Sequence, residues 1–185
     1  MAADQTVDPA LWPLVEAFPP IDLSADTLAG FRAAMVELSV KPEPSTHVDV
    51  SLEEVTIPGG GVAAQGIRCL LFKPTPEPTQ RASASALLHI HGGGFVMGMP
   101  EMDAARNIEL ARATGCAILS VDYRLAPEHP HPAGLEDCHA ALVWLAAQAK
   151  TLGIEPERIG VIGESAGGGL AAALALLARD RRSVA

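Results

Sequence analysis

The sequence predicts an α/β architecture: a mostly parallel sheet with helices on both faces. Three observations carry that expectation. From Ala86 onward, short apolar runs alternate with longer runs of helical period, the rhythm of parallel strands joined by crossover helices. The apolar runs, "ALLHIH", "CAILSV" and "RIGVIG", are continuous rather than alternating, as strands buried on both faces are. Finally, 185 residues with 49% hydrophobic and 19% charged content suffice for one domain with a substantial core.

The elements follow in order. Residues 1–45 form a helical segment set apart by prolines, with residues 46–185 as the core unit. Within the first, "DPALWPLVEAF" has a proline near a helix start. "SADTLAGFRAAMVEL" opens with Ser24 at an N-cap and puts Leu28, Phe31, Met35 and Leu38 on one face. "KPEP" then stops the helix. "HVDVSLEEVTI" alternates as a strand, "PGGGVAAQG" turns, and "IRCLLFKP" returns as a second strand, together an antiparallel pair. A proline-rich connection, "PTPEPTQRAS", leads to the strand "ALLHIH". A helix from Asp103 to Thr114, the strand "CAILSV" and a helix from Leu135 to Lys150 come next, the last with Leu135, Cys138, Leu142 and Leu145 at 3–4–3 spacing. The strand "RIGVIG" and a helix from Ser165 to Arg179 complete the order; that helix is apolar nearly all round and so is expected to be buried.

Composition excludes several classes. The net charge is −9 and no Lys/Arg stripe occurs, which argues against nucleic acid or an anionic membrane surface as partner. Cys69, Cys116 and Cys138 are scattered, odd in number and without a C-x-x-C pair; they read as small hydrophobes, not as a disulfide framework or zinc knuckle. The first twenty residues are acidic and proline-broken, unlike a signal peptide. The longest apolar run, Leu170 to Ala178, is too short for membrane insertion. The cytoplasm is the expected compartment.

Glycine-rich stretches raise nucleotide binding first. A dinucleotide fingerprint at the last strand would need glycine at position 162, where Ile162 stands, and a phosphate loop would need Lys after Gly168. "GGGVAA" fits the spacing but leads into a strand, so it reads as a hairpin turn. His89 and His91 in "HIH" share a strand face, a spacing some metal-dependent hydrolases use. No third ligand motif accompanies them, and His129 and His131 in "EHPHPAG" read as part of a solvated turn, so no metal is expected.

"GESAG", Gly163 to Gly167, is the stretch whose context matches its chemistry: an apolar strand precedes it and a helix follows. A serine at such a sharp turn takes strained dihedrals and lifts its Oγ out of the sheet. Side chains two positions to either side would collide, which demands Gly163 and Gly167. The helix beginning there directs its N–H groups and positive dipole end to where an oxyanion would form. "HGGGF", His91 to Phe95, follows a strand two β-α units earlier, where the fold draws a second set of oxyanion donors.

"HGGGFVMG", "DYRLAPEHPHPAGLED" and "GESAGGGLAAALALLARD" together closely resemble the bacterial hormone-sensitive-lipase-like esterases, a branch of the α/β-hydrolases. The likeness runs from about Leu11 to the last residues. It implies a carboxylesterase of short- to medium-chain acyl esters, without cofactor, with a helical cap formed partly by the N-terminal segment. By position it implies Ser165 as nucleophile, and Gly93, Gly94 and Ala166 as oxyanion donors. It implies His91 and Gly92 as parts of a self-supporting loop, braced by Asp122, Tyr123, Arg124 and Glu128. For His89 a satisfied strand histidine is expected. Such esterases carry an acid and then a histidine after the elbow, but here only Asp180 follows as an acid and no histidine does. The C-terminal strands and the triad Asp and His are therefore expected outside these 185 residues, which alone would be inactive. Relatives that pair edge strands leave a homodimer open for a full-length chain. Two other readings stay open: a non-catalytic small-molecule-binding protein on the same fold, like the plant gibberellin receptor, and an inactive fragment. The pairing of elbow and HGGG loop favours the esterase.

Overall fold

The computed structural model describes residues 7–17, 24–39, 49–59, 66–75 and 85–184. The chain divides into two compact units, Met1–Glu37 and Leu38–Ala185. In the first, Asp8 caps a 3₁₀ turn at Pro9–Leu11 by accepting a 2.9 Å bond from the Ala10 amide, and α1 (Trp12–Ala17) continues from it. Helix α2 (Ala25–Leu38) starts directly after Ser24, whose carbonyl accepts the Leu28 amide at 3.0 Å. The expected boundary at residues 45 and 46, most of the "PGGGVAAQG" turn and the proline-rich connection lie outside the described residues.

The second unit is a five-stranded sheet among the described residues: β1 (Val50–Ile57), β2 (Ile67–Pro74), β3 (Ala86–Ile90), β4 (Ala117–Val121) and β5 (Ile159–Gly163). Their spatial order is β1-β2-β4-β3-β5. The two β3 pairings are parallel, whereas β1–β2 and β2–β4 are antiparallel, so the sheet is mixed. The parallel strands read as continuous apolar runs because both faces are covered. On one face, Leu71, Leu88, Ile90, Leu119 and Val121 pack with Leu142 and Leu145 of α4 (Ala133–Ala147) and Leu170 and Leu174 of α6 (Ala166–Arg181). On the other, Leu70, Phe72 and Ile118 pack with Ala104, Ile108 and Ala111 of α3 (Ala104–Thr114). The short α5 (Ala149–Leu152) follows α4.

Two expectations need amending. The helix foreseen over 135–150 breaks at Gln148 into α4 and α5. Helix α6 is buried along one side only, Ala166, Gly167, Leu170, Leu174 and Ala178, while Leu176 is 55% exposed. Residues four apart share a face, and only that face meets the sheet; apolar composition alone does not cover the others. Cys69 and Cys138 are buried free thiols, as expected, and burial pushes the Cys69 thiol up to about 12. Among the described residues, no helix is long and apolar enough to cross a membrane.

Candidate active site

Strand β5 ends at Gly163 and α6 begins at Ala166, leaving only Glu164 and Ser165 to reverse the chain. Ser165 takes φ 52° and ψ −119°, a conformation that costs a non-glycine residue on the order of 1–3 kcal/mol and persists only where its surroundings impose it. The surroundings do so by backbone contact. A Cβ at Gly163 would strike the Gly167 carbonyl and come within 2.8 Å of the Ile90 oxygen; one at Gly167 would run into the carbonyls of both Ile90 and His91. Neither glycine has a positive φ. They are needed for room alone.

The loop after β3 uses glycine differently. Gly93, Gly94 and Phe95 stand in succession at φ 119°, 61° and 66°. The Gly93 carbonyl accepts the Val96 and Met97 amides at 3.1 and 3.0 Å, and the Phe95 carbonyl accepts the Ala126 amide at 2.9 Å. Gly92 lies against the elbow: a Cβ there would sit 3.2 Å from the Glu164 oxygen and 3.7 Å from Ser165 Cβ. Ser165 is exposed. Among the described residues, no acceptor engages the Gly93 or Gly94 amide and no group bonds Ser165 Oγ. As the first residue of α6, Ala166 also has an amide without an intrahelical acceptor. Gly92, which leads into the Gly93 and Gly94 amides, thus lies against the elbow that carries Ser165 and the Ala166 amide. Among the described residues the three amides and Ser165 Oγ have their hydrogen-bonding capacity unused.

His91 is 1% exposed and serves its own loop. Its Nδ1–H donates to the Gly92 carbonyl at 2.7 Å, its ring stacks on Tyr123 at 4.2 Å, and the Tyr123 hydroxyl donates to the His91 carbonyl at 3.0 Å. Burial pushes its pKa down, so the ring is neutral, and its buried Nε2 has no partner among the described residues. Arg124 holds the buried Asp137 through its backbone amide at 2.9 Å and its guanidinium at 2.8 Å twice, which anchors the stretch that carries the Ala126 amide. Asp122 pairs with Arg68 at 3.0 Å, and Arg68 grips Glu101 with two bonds of 2.8 and 2.9 Å. Burial raises the Asp122 pKa while Arg68 opposes the rise. Glu128 lies in the exposed turn with His129 and His131. Of the four expected braces, Tyr123 touches the loop directly, Arg124 reaches it through its neighbour, and the Asp122 charge acts on the His91 ring.

His89 is fully buried and both ring nitrogens are engaged: Nδ1 with Ser120 Oγ at 2.9 Å and Nε2 with Glu164 Oε2 at 3.3 Å. It is the satisfied strand histidine that was expected. Desolvation pushes its pKa down, and a carboxylate only accepts, so the neutral ring carries its proton on Nε2 and Ser120 donates to Nδ1. Arg106 pairs with the other Glu164 oxygen, and Asp103 Oδ2 lies 3.7 Å from His89 Nε2. His89, Asp103 and Glu164 bring ligand atoms within 4.8 Å of one another, the one grouping of metal-binding residue types among the described residues. Arg106 already supplies Glu164 with a positive partner. Sequence reasoning assigned nothing to Glu164, Arg106, Asp137 or Phe95. Beside the loop is a cavity of about 270 Å³ lined mainly by Phe95, Tyr123, Arg124, Leu135 and Leu170, with His129 and His131 at its side.

A strand, a strained serine, a glycine-packed helix and a glycine loop facing them define an α/β-hydrolase. The chain belongs to that family: a family model described as "alpha/beta hydrolase fold" matches residues 87–185, and the resemblance to hormone-sensitive-lipase-like esterases holds. It is 38% identical over 176 residues to the carboxylesterase NlhH of Mycobacterium tuberculosis, covering 94% of this chain and 52% of that protein. An arylesterase of Saccharolobus solfataricus is 42% identical over 106 residues, 57% of this chain and 35% of the relative. Among solved structures, a bacterial heroin esterase superposes with TM-score 0.79 at 36% identity, covering 97% of this chain and 55% of the other. The esterase LipW of Mycobacterium marinum gives 0.78 at 34% identity, over 94% and 53%. The chain thus spans about half the length of the carboxylesterase NlhH.

Proposed function

We propose that the chain carries the nucleophile half of a carboxylic ester hydrolase acting on short- to medium-chain acyl esters. Ser165 Oγ attacks the ester carbonyl carbon, and the amides of Gly93, Gly94 and Ala166 receive the oxygen as it becomes an oxyanion. The positive end of α6 adds to that stabilisation. The C–O bond to the alcohol then breaks, leaving an acyl-serine that water hydrolyses. The cavity beside Phe95 and Leu170 takes an apolar part of the ester. His91, Gly92, Asp122, Tyr123, Arg124 and Glu128 keep the loop in shape.

One observation carries this reading: the exposed Ser165 at φ 52° lies against Gly92, the residue leading into two amides with no acceptor among the described residues. The names of the relatives support the ester class. The proton of Ser165 needs an imidazole base and an orienting acid. No histidine follows Ser165 in the 185 residues, and none bonds its Oγ among the described ones. Both partners belong to the half of the fold that the chain, spanning 52% of the carboxylesterase NlhH, does not cover, and residues 1–185 alone are close to inactive. The setting is cytoplasmic.

The test is hydrolysis of p-nitrophenyl acyl esters by the full-length protein. Activity should fall by roughly 10⁶-fold in Ser165→Ala and be near background for residues 1–185. A Ser165→Ala variant that keeps its turnover, or a full-length protein that binds esters without cleaving them, would refute the proposal.

A further inference from the structure

The elbow and the oxyanion loop belong to different strands, and their relative position decides whether Ser165 and the Gly93 and Gly94 amides converge on one carbonyl. Among the described residues, backbone packing supplies contact between them but no directional bond. A side chain ties the elbow instead to β3, the strand that leads into the loop. Glu164, the residue before Ser165, turns its carboxylate back toward β3 and is bonded by His89 Nε2 at 3.3 Å. His89 lies opposite Ser120 of β4 and Ile162 of β5 in register and takes a 2.9 Å bond from Ser120. Three adjacent strands are thereby tied together at the end that carries the site. Arg106 of α3 pairs with the second Glu164 oxygen and fixes the carboxylate from the helix side.

We infer that Glu164, held by His89 and Arg106, is a positioning residue: it sets the strained peptide of Ser165 against the oxyanion loop. The inference rests on Ser165 being the nucleophile. The geometry favours positioning over general stabilisation because the restrained peptide is the one entering the strained residue. The Glu164 carbonyl also lies against Gly92 and accepts the Gly167 amide at 2.8 Å. His89 is neutral and fully buried, so it presents a fixed donor rather than a mobile one. Asp103, 3.7 Å from the same nitrogen, adds negative potential that keeps the proton on Nε2.

The experiment uses full-length, ester-hydrolysing protein with Ser165→Ala as control. Misplacement of a reacting group by about 1 Å costs on the order of 10²-fold, so Glu164→Ala should lower kcat by roughly 10- to 100-fold with KM within about twofold. Glu164→Gln, which can still accept from His89, should recover most of that loss yet stay about threefold below wild type. Arg106→Ala should lower kcat alone and add little in the Glu164→Ala background, because both act through one carboxylate. A folded Glu164→Ala with wild-type kcat, or one that loses only Tm, overturns the inference. If the alanine variant does not fold, Glu164→Gln decides: wild-type kcat in that variant overturns it too. An active Ser165→Ala overturns the nucleophile and the clamp together, whereas an inactive one beside a fully active Glu164→Ala overturns the clamp alone.

Discussion

The site is built from two glycine stretches that use the same residue for opposite reasons. At the elbow, Gly163 and Gly167 have ordinary dihedrals but no space, because a Cβ would enter the backbone of β3 or of the elbow itself. In the loop, Gly94 has space, its nearest neighbour to a Cβ being Val96 at 3.9 Å, but stands at φ 61°. Gly93 needs both exemptions, with φ 119° and the Met97 carbonyl in the way. Elbow glycines are therefore part of how the sheet holds together, whereas Gly94 is part of how one loop aims its amides.

That contrast is open to direct attack. Gly167→Ala should have the largest effect: overpacking against the Ile90 and His91 carbonyls costs about 1–3 kcal/mol or more and displaces Ser165, so both the urea midpoint and ester hydrolysis should fall. Gly94→Val should separate the two quantities. The left-handed conformation costs a residue with a Cβ only about 1–2 kcal/mol, but a misdirected oxyanion donor costs on the order of 10²–10³ in kcat. A Gly94→Val protein as destabilised as Gly167→Ala, or one with unchanged kcat/KM, breaks the comparison.

A smaller effect comes from the histidines behind the two stretches, His89 behind the elbow and His91 behind the loop. Both are buried and neutral, with pKa values pushed below the ordinary 6.5 by desolvation. The unfolded chain then binds protons that the folded chain refuses. Their contribution is complete above pH 6.5 and is lost as the pH falls from there toward their depressed values, by up to about 1.4 kcal/mol per pH unit for each. Asp122, whose carboxyl is raised, acts in the opposite sense nearer the carboxylate range. Denaturation between pH 7.5 and 5.5 should show stability falling on acidification; a flat profile would contradict the depression of the two imidazoles.

The strands from Ala86 onward were legible because continuous apolar runs between helices have few other solutions, and the elbow because strand, glycines and helix signal it together. What was hidden depends on distant partners. Nothing local says that β2 runs antiparallel beside β4, a pairing decided by packing. Glu164 occupies a position the G-x-S-x-G pattern leaves free, and its partner His89 is 75 residues away. Arg124 and Asp137, 13 residues apart, meet only because the intervening turn folds back onto α4. The outer face of α6 is apolar yet uncovered, with Leu176 exposed, because composition alone does not say which face meets a neighbour.

The central claim is that Ser165 is the nucleophile of this fold, and covalent labelling tests it most directly. A fluorophosphonate reacts with a serine only where a base activates it and an oxyanion site receives the phosphoryl oxygen. Full-length active protein treated with the reagent and digested for mass spectrometry should carry one adduct, on Ser165, in step with loss of hydrolysis. An adduct on another residue, or inhibition without any adduct on Ser165, would contradict the account.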